Sequence, residues 1–138
     1  MLDIITQNRT VRHGLTFRSR EINMTTRTTV LITGASTGIG ATYAERFARR
    51  GHDLVLVARD QARLEALAAR LQKETGAAVD ILPADLTQPA DLAAVETRLR
   101  EDARIETLIN TAGATLSGPF IGQSTDDVAR LVALNTNA

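Results

Sequence analysis

The feature that most constrains this chain is the run Thr33-Gly34-Ala35-Ser36-Thr37-Gly38-Ile39-Gly40, set between a β-branched segment and a segment of helical period. Thr28 to Thr33 (TTVLIT) reads as a short strand. After the glycines, Ile39, Ala44, Phe47 and Ala48 fall near one helical face and Gly51 stands just past its end. Glycine is required at such a turn because a Cβ would forbid its backbone angles or block a close approach. The turn also leaves backbone N–H groups at a helix N-terminus facing outward, where the macrodipole favours negative charge. A dinucleotide pyrophosphate is an anion of the kind such a terminus accepts. A phosphoryl-transfer P-loop is excluded, since it needs Gly-Lys followed by Ser or Thr and the only lysine is Lys73.

The same alternation continues along the chain. Asp53 to Ala58 (DLVLVA) predicts a second strand; a helix starting near Asp60 carries Leu64, Leu67, Ala68 and Leu71 at i, i+3, i+4 and i+7 and stops at Gly76. Ala78 to Leu82 predicts a third strand and Pro83 to Thr87 a loop. A helix with Pro89 in its first turn follows, with Leu92, Val95 and Leu99 as its stripe. Ile105 to Ile109 predicts a fourth strand. A small-residue loop (NTAGATLSGP) then leads to a last helix marked by Ser124 and Asp127, a capping-box-like pair, with Val128, Leu131, Val132 and Asn135 on its inner face. Strands alternating with helices predict an α/β fold, a Rossmann-type doubly wound parallel sheet; right-handed crossovers give the strand order 3-2-1-4. Residues 1–26, with Arg9, Arg12, Arg18 and Arg20 and no sustained period, are expected to form an unstructured extension, with Met24 a candidate start. Residues 27–138 then form one nucleotide-binding domain.

Composition narrows the chemistry. Sixteen Lys plus Arg balance sixteen Asp plus Glu, so no electrostatic footprint points to nucleic acid or an anionic membrane. No apolar run approaches the ~20 residues needed to cross a bilayer, and none resembles a signal-peptide core. With no Cys, disulfides and thiolate chemistry are excluded, and the chain is compatible with a reducing, cytoplasmic compartment. His13 and His52, the only imidazoles, stand in no metal-ligand spacing, so no metal site is expected.

The glycine spacing of TGASTGIG, in this strand-turn-helix context, resembles the cofactor loop of the short-chain dehydrogenase/reductase superfamily, in its compact single-domain branch. The resemblance extends from residue 28 to residue 138, and it implies a dinucleotide cofactor held by Gly34, Ser36, Thr37, Gly38, Ile39 and Gly40. An NAD site wants an acidic residue at the end of the second strand for the ribose 2′-OH. Here the strand ends Val57-Ala58-Arg59, and a guanidinium there suits a 2′-phosphate. Arg63, one helical turn on, adds a second positive charge, so NADP(H) is favoured over NAD(H). Asp85 and Leu86 resemble the family's adenine-contacting pair; the plainer reading makes Asp85 a turn cap beside Pro83. Asn110-Thr111-Ala112-Gly113 resembles the family's Asn-Asn-Ala-Gly, in which the first Asn braces the sheet and the Ala-Gly backbone passes the adenosine ribose. Thr111 departs from that pattern and keeps a hydroxyl.

Asn135 resembles the helix Asn of the family's catalytic tetrad, which holds a water in a proton relay. The resemblance assigns the remaining roles to a Ser and to a Tyr and Lys four positions apart, where the cation lowers the phenol pKa from ~10. The single tyrosine, Tyr43, is followed four positions later by Phe47, and Lys73 ends another helix. The chain therefore reads as the cofactor-binding half of an oxidoreductase acting on a small-molecule carbonyl/alcohol couple, expected to form homo-oligomers at full length. The alternative is a non-catalytic dinucleotide-binding module or a truncated, inactive product. The 138 residues alone are expected to be poorly soluble or to self-associate through the outer edge of the fourth strand and the apolar side of the last helix.

Overall fold

A computed structural model describes residues 26–115 and 120–137; the expected N-terminal extension lies outside them. Among the described residues four strands and four helices alternate: β1 (Thr29–Thr33), α1 (Gly38–Arg49), β2 (Asp53–Ala58), α2 (Gln61–Thr75), β3 (Val79–Pro83), α3 (Pro89–Glu101), β4 (Ile105–Asn110) and α4 (Thr125–Asn137). One turn of 3-10 helix, Phe120–Gly122, precedes α4. The sheet is parallel throughout in the order β3-β2-β1-β4, as the crossover rule predicts.

Local chemistry accounts for the element ends. Asp60 caps α2 by accepting from the Arg63 amide at 3.0 Å, and Gly76 closes that helix at φ +71, where a Cβ would be strained. Pro89 opens α3, where its missing N–H has no partner to lose. Ser124 Oγ accepts from the Asp127 amide at 3.1 Å and donates to its carboxylate at 2.6 Å, so the cap is present. Its carboxylate takes the Ser124 hydroxyl rather than the backbone N–H of a full capping box. β3 is shifted one residue on from the predicted Ala78 to Leu82, and it includes Pro83 because that residue lies on an edge strand and needs no amide for the ladder.

β1 is buried along its whole length and β2 is buried after Asp53, as expected of central strands covered on both faces. Alternate side chains feed two apolar layers. Val30, Ile32, Leu54 and Leu56 meet Ala44 and Ala48 of α1 and Leu64, Leu67, Ala68 and Leu71 of α2. Leu31, Val55 and Val57 meet Val95 of α3, with Leu92, Leu99 and, from α4, Leu134 packed alongside. Two helices on each face leave the C-terminal ends of the strands as an open rim, and residues singled out in the sequence gather there. Among the described residues no helix is long and apolar enough to cross a membrane.

Candidate functional site

The registers that pair Thr33 with Val57 and Asn110, and Ala58 with Pro83, bring the four strand ends level. Each chain segment leaving that rim carries a stretch singled out in the sequence. Together they line a cleft of about 920 Å³. Gly34, Ser36, Thr37, Gly38, Ile39 and Gly40 border it from β1, Arg59 and Arg63 from β2, and Asp85 and Leu86 from β3. Thr111, Ala112 and Gly113 border it from β4. Asn110 and Asn135 stand outside this lining and act on it through hydrogen bonds.

The glycine loop is locked onto the loop after β4. The Thr33 hydroxyl donates to Asn110 Oδ1 and accepts from the Ala112 amide at 3.2 Å, while the Thr111 hydroxyl donates to the Thr33 carbonyl at 2.5 Å. A Cβ on Gly34 would stand 2.9 Å from the Ala112 backbone, and one on Gly40 only 2.2 Å from the Gly34 carbonyl oxygen. Gly34 also holds φ +68 and Gly38 φ +56, angles that L side chains avoid. Thr111, the departure from the family pattern, is thus an additional tie between the two loops.

At the start of α1 the Thr37 side chain makes no capping bond, and no acidic residue occupies the first turn. The first amides of that helix are therefore not satisfied by a side-chain cap or opposed by a carboxylate, and they face the cleft, as a phosphate-binding helix start requires. A Cβ added at Gly38 would meet no group within 4 Å among the described residues, so the space beside it is open. Ile39 is 69% exposed and lines the cleft with the rest of the glycine loop, and it does not join the core face of α1 on which the helical period also placed it. The backbone turn at Gly38 displaces the first helical residues from the inward stripe, which begins at Gly40 and Ala44.

Arg63 pairs with Asp60 at 3.2 Å, whereas Arg59 makes no ion pair among the described residues. Asp85 is half-buried and accepts on Oδ1 from the Thr87 hydroxyl at 2.7 Å and the Thr87 amide at 3.0 Å. The turn-cap reading of Asp85 thus describes its geometry, and its place on the cleft wall is equally present. Those two donors, with the charges of Arg59 and Arg130 beyond them, hold its carboxyl below the ordinary value of 3.8.

The inner face of α4 is also phased differently from expectation. Val132 is 51% exposed and Asn135 is exposed, while Asp127, Arg130, Leu131 and Leu134, at i, i+3, i+4 and i+7, line the cleft. Asn135 bonds the loop after β4 reciprocally, accepting from the Ala114 amide and donating to the Ala114 carbonyl, both at 3.0 Å. These two bonds tether the loop through both ends of the amide. Arg130 and Thr87 are site-bordering residues that the sequence reading missed; the period of α4 offers two phases, and only packing of Leu134 against the sheet selects one. Tyr43 stacks on Phe47 at 6.3 Å on α1, and Lys73 lies in the last turn of α2; neither borders the cleft.

Comparison with known proteins agrees with this geometry. The chain is 71% identical to a short-chain dehydrogenase from Sphingobium yanoikuyae solved in complex with NADPH, with a TM-score of 0.77 over 80% of this chain and 43% of that one. It is 61% identical to the bulky-bulky ketone specific alcohol dehydrogenase from Comamonas testosteroni, with a TM-score of 0.79 over 82% of this chain and 45% of that one. Serine 3-dehydrogenase of Agrobacterium fabrum is 44% identical over 89 residues, which are 64% of this chain and 34% of that protein. The chain thus spans less than half the length of each of these. With the glycine loop, the strand order and the rim accounted for, the match of residues 28–138 to the short chain dehydrogenase family model completes the assignment: the chain belongs to that family.

Proposed function

We propose that this chain supplies the dinucleotide-binding part of an oxidoreductase that interconverts carbonyl compounds and alcohols, with NADP(H) as its preferred cofactor. The observation that carries this reading is the cleft itself, where an uncapped helix start, a glycine loop and Arg59 converge at the level ends of parallel strands. Ligands of open α/β sheets bind at that rim. The Sphingobium relative was solved with NADPH, and the Comamonas relative is an alcohol dehydrogenase specific for bulky-bulky ketones.

In this reading the amides of Gly38 to Gly40 receive the pyrophosphate. Arg59, which makes no ion pair among the described residues, receives the 2′-phosphate, and Arg63, paired with Asp60, stands beside it as a weaker secondary contact. Asp85, kept ionised by Thr87, accepts from the adenine amine, and Leu86 gives the base an apolar wall. Ala112 and Gly113 pass the ribose, held in place through Thr33 and Asn110. The bound nicotinamide would supply or accept the hydride. Asn135 positions the loop at Ala114.

Titrating the chain with NADPH and NADH by nucleotide fluorescence tests the preference. Wild type is expected to bind NADPH more tightly, and Arg59→Asp to reverse the order by placing a carboxylate where the 2′-OH would lie. An NADPH/NADH ratio that Arg59→Asp leaves unchanged would remove the basis for the assignment.

A further inference from the structure

Arg130 belongs to none of the motifs that define the cleft, yet the fold aims it there. It shares one helical stripe of α4 with Asp127, Leu131 and Leu134, and all four border the cleft. Leu134 packs into the apolar layer that contains Leu86, which fixes the phase of that stripe. Arg59 reaches the same cleft from β2 on its way into α2, which covers the opposite face of the sheet. Two guanidinium groups therefore approach from opposite faces, with the Asp85 carboxylate within electrostatic reach of both.

Their charge environments differ. Arg59 makes no ion pair among the described residues, whereas Arg130 lies 3.5 Å from the Asp127 carboxylate, itself held by Ser124. A guanidinium already compensated by a carboxylate has less to offer a second anion. It still presents a planar face, which stacks well on an aromatic ring.

We infer that Arg130 is an adenine-recognition residue, its guanidinium forming the wall of the cleft opposite Arg59 and stacking on the base of the bound dinucleotide. This rests on the proposal that the cleft binds a dinucleotide, and it assigns Arg130 a role different from that of Arg59. Arg59 distinguishes NADPH from NADH, while Arg130 serves every adenine nucleotide alike.

Calorimetric titration of the 138-residue chain with 5′-AMP, NADH and NADPH tests the division, using wild type, Arg130→Ala and Arg130→Lys, each checked for a native melt by circular dichroism. Arg130→Ala is expected to weaken all three ligands by a common factor of about two to five, the range for a partly exposed cation–π contact. The NADPH/NADH ratio should stay at its wild-type value. Arg130→Lys should recover only part of the loss, since it keeps the charge and loses the plane. If Arg130→Ala does not fold, Arg130→Gln replaces it with the same expectation. Unchanged affinity for AMP and NADH would overturn the inference, and so would a loss confined to NADPH, which would make Arg130 a 2′-phosphate ligand. A wild type that binds NADH and NADPH equally would defeat the role proposed for Arg59 while the AMP comparison still decides Arg130. A wild type that binds no adenine nucleotide would overturn both.

Discussion

Replacing Gly40 by alanine separates two reasons for a glycine in this loop, conformational freedom and lack of volume. Gly40 holds no positive φ, so its substitution carries no left-handed backbone cost. The added Cβ would stand 2.2 Å from the Gly34 carbonyl oxygen, 2.7 Å from the Gly34 carbonyl carbon and 2.7 Å from Thr111 Oγ1. Two of these obstacles are backbone atoms and the third is a hydroxyl tied to the Thr33 carbonyl, so none yields without moving the loop. Overpacking typically costs about 1–3 kcal/mol, and backbone obstacles place this case near about 3 kcal/mol. At about 4 °C per kcal/mol for a unit of this size, Tm should fall by about 12 °C. Gly38→Ala is the matched control. At φ +56 it meets nothing within 4 Å, so only the left-handed backbone term remains, about 1 kcal/mol, or about 4 °C. Differential scanning calorimetry of the two variants beside wild type measures both effects. If Gly40→Ala melted at or above Gly38→Ala, the argument that close packing of the two loops excludes a side chain at Gly40 would fail.

Three further outcomes follow from the same contacts. Thr33→Val removes a buried hydroxyl that donates to Asn110 and accepts from Ala112; it should cost about 1–3 kcal/mol in urea melts and speed hydrogen exchange of the Ala112 amide. Asp85→Asn should lower the urea midpoint at neutral pH. The Asp85 carboxyl is held below 3.8 in the folded chain, so its contribution is fully present above that value and is lost as pH falls below it. The two midpoints should therefore draw together below about pH 3.8, and a constant gap from pH 7 to pH 3 would contradict the account. Among the described residues β4 pairs only with β1, and Leu108 on it is 48% exposed. Analytical ultracentrifugation of the 138-residue chain should show species heavier than 14.9 kDa, reduced by Leu108→Lys; a monodisperse monomer would refute edge-mediated association.

The parts of the fold that were legible in the sequence are those where one local interaction decides the outcome. Asp60 as a cap, Gly76 as a left-handed stop and Pro89 at the start of α3 each act within a single turn. The central strands were legible because burial on both faces leaves runs such as DLVLVA uninterrupted by charge. The site residues from the glycine loop, β2 and β3 were legible for a topological reason: each directly follows a strand whose end must reach the common rim.

What was not legible depended on tertiary packing. For Ile39 the helical count offered a core stripe and the glycine loop a place at the cleft, and the turn at Gly38 decides for the cleft. In α4, Val128, Leu131, Val132 and Asn135 form as good an apolar face as Leu131 with Leu134, and contact with the sheet chose the latter. That choice exposed Asn135, set its amide against Ala114 and brought Arg130 to the cleft, none of which period or charge alone discloses.

The central claim is that a dinucleotide binds at the strand-end cleft, and amide chemical-shift mapping of the 15N-labelled chain during titration with NADPH tests it most directly. The account predicts saturable shifts at Gly34, Ser36 to Gly40, Arg59, Asp85, Ala112 and Gly113, with the shallow depression between Leu82 and Asp102 on the α3 side unaffected. Shifts absent from the glycine loop, or concentrated around Thr97 to Asp102, would contradict it.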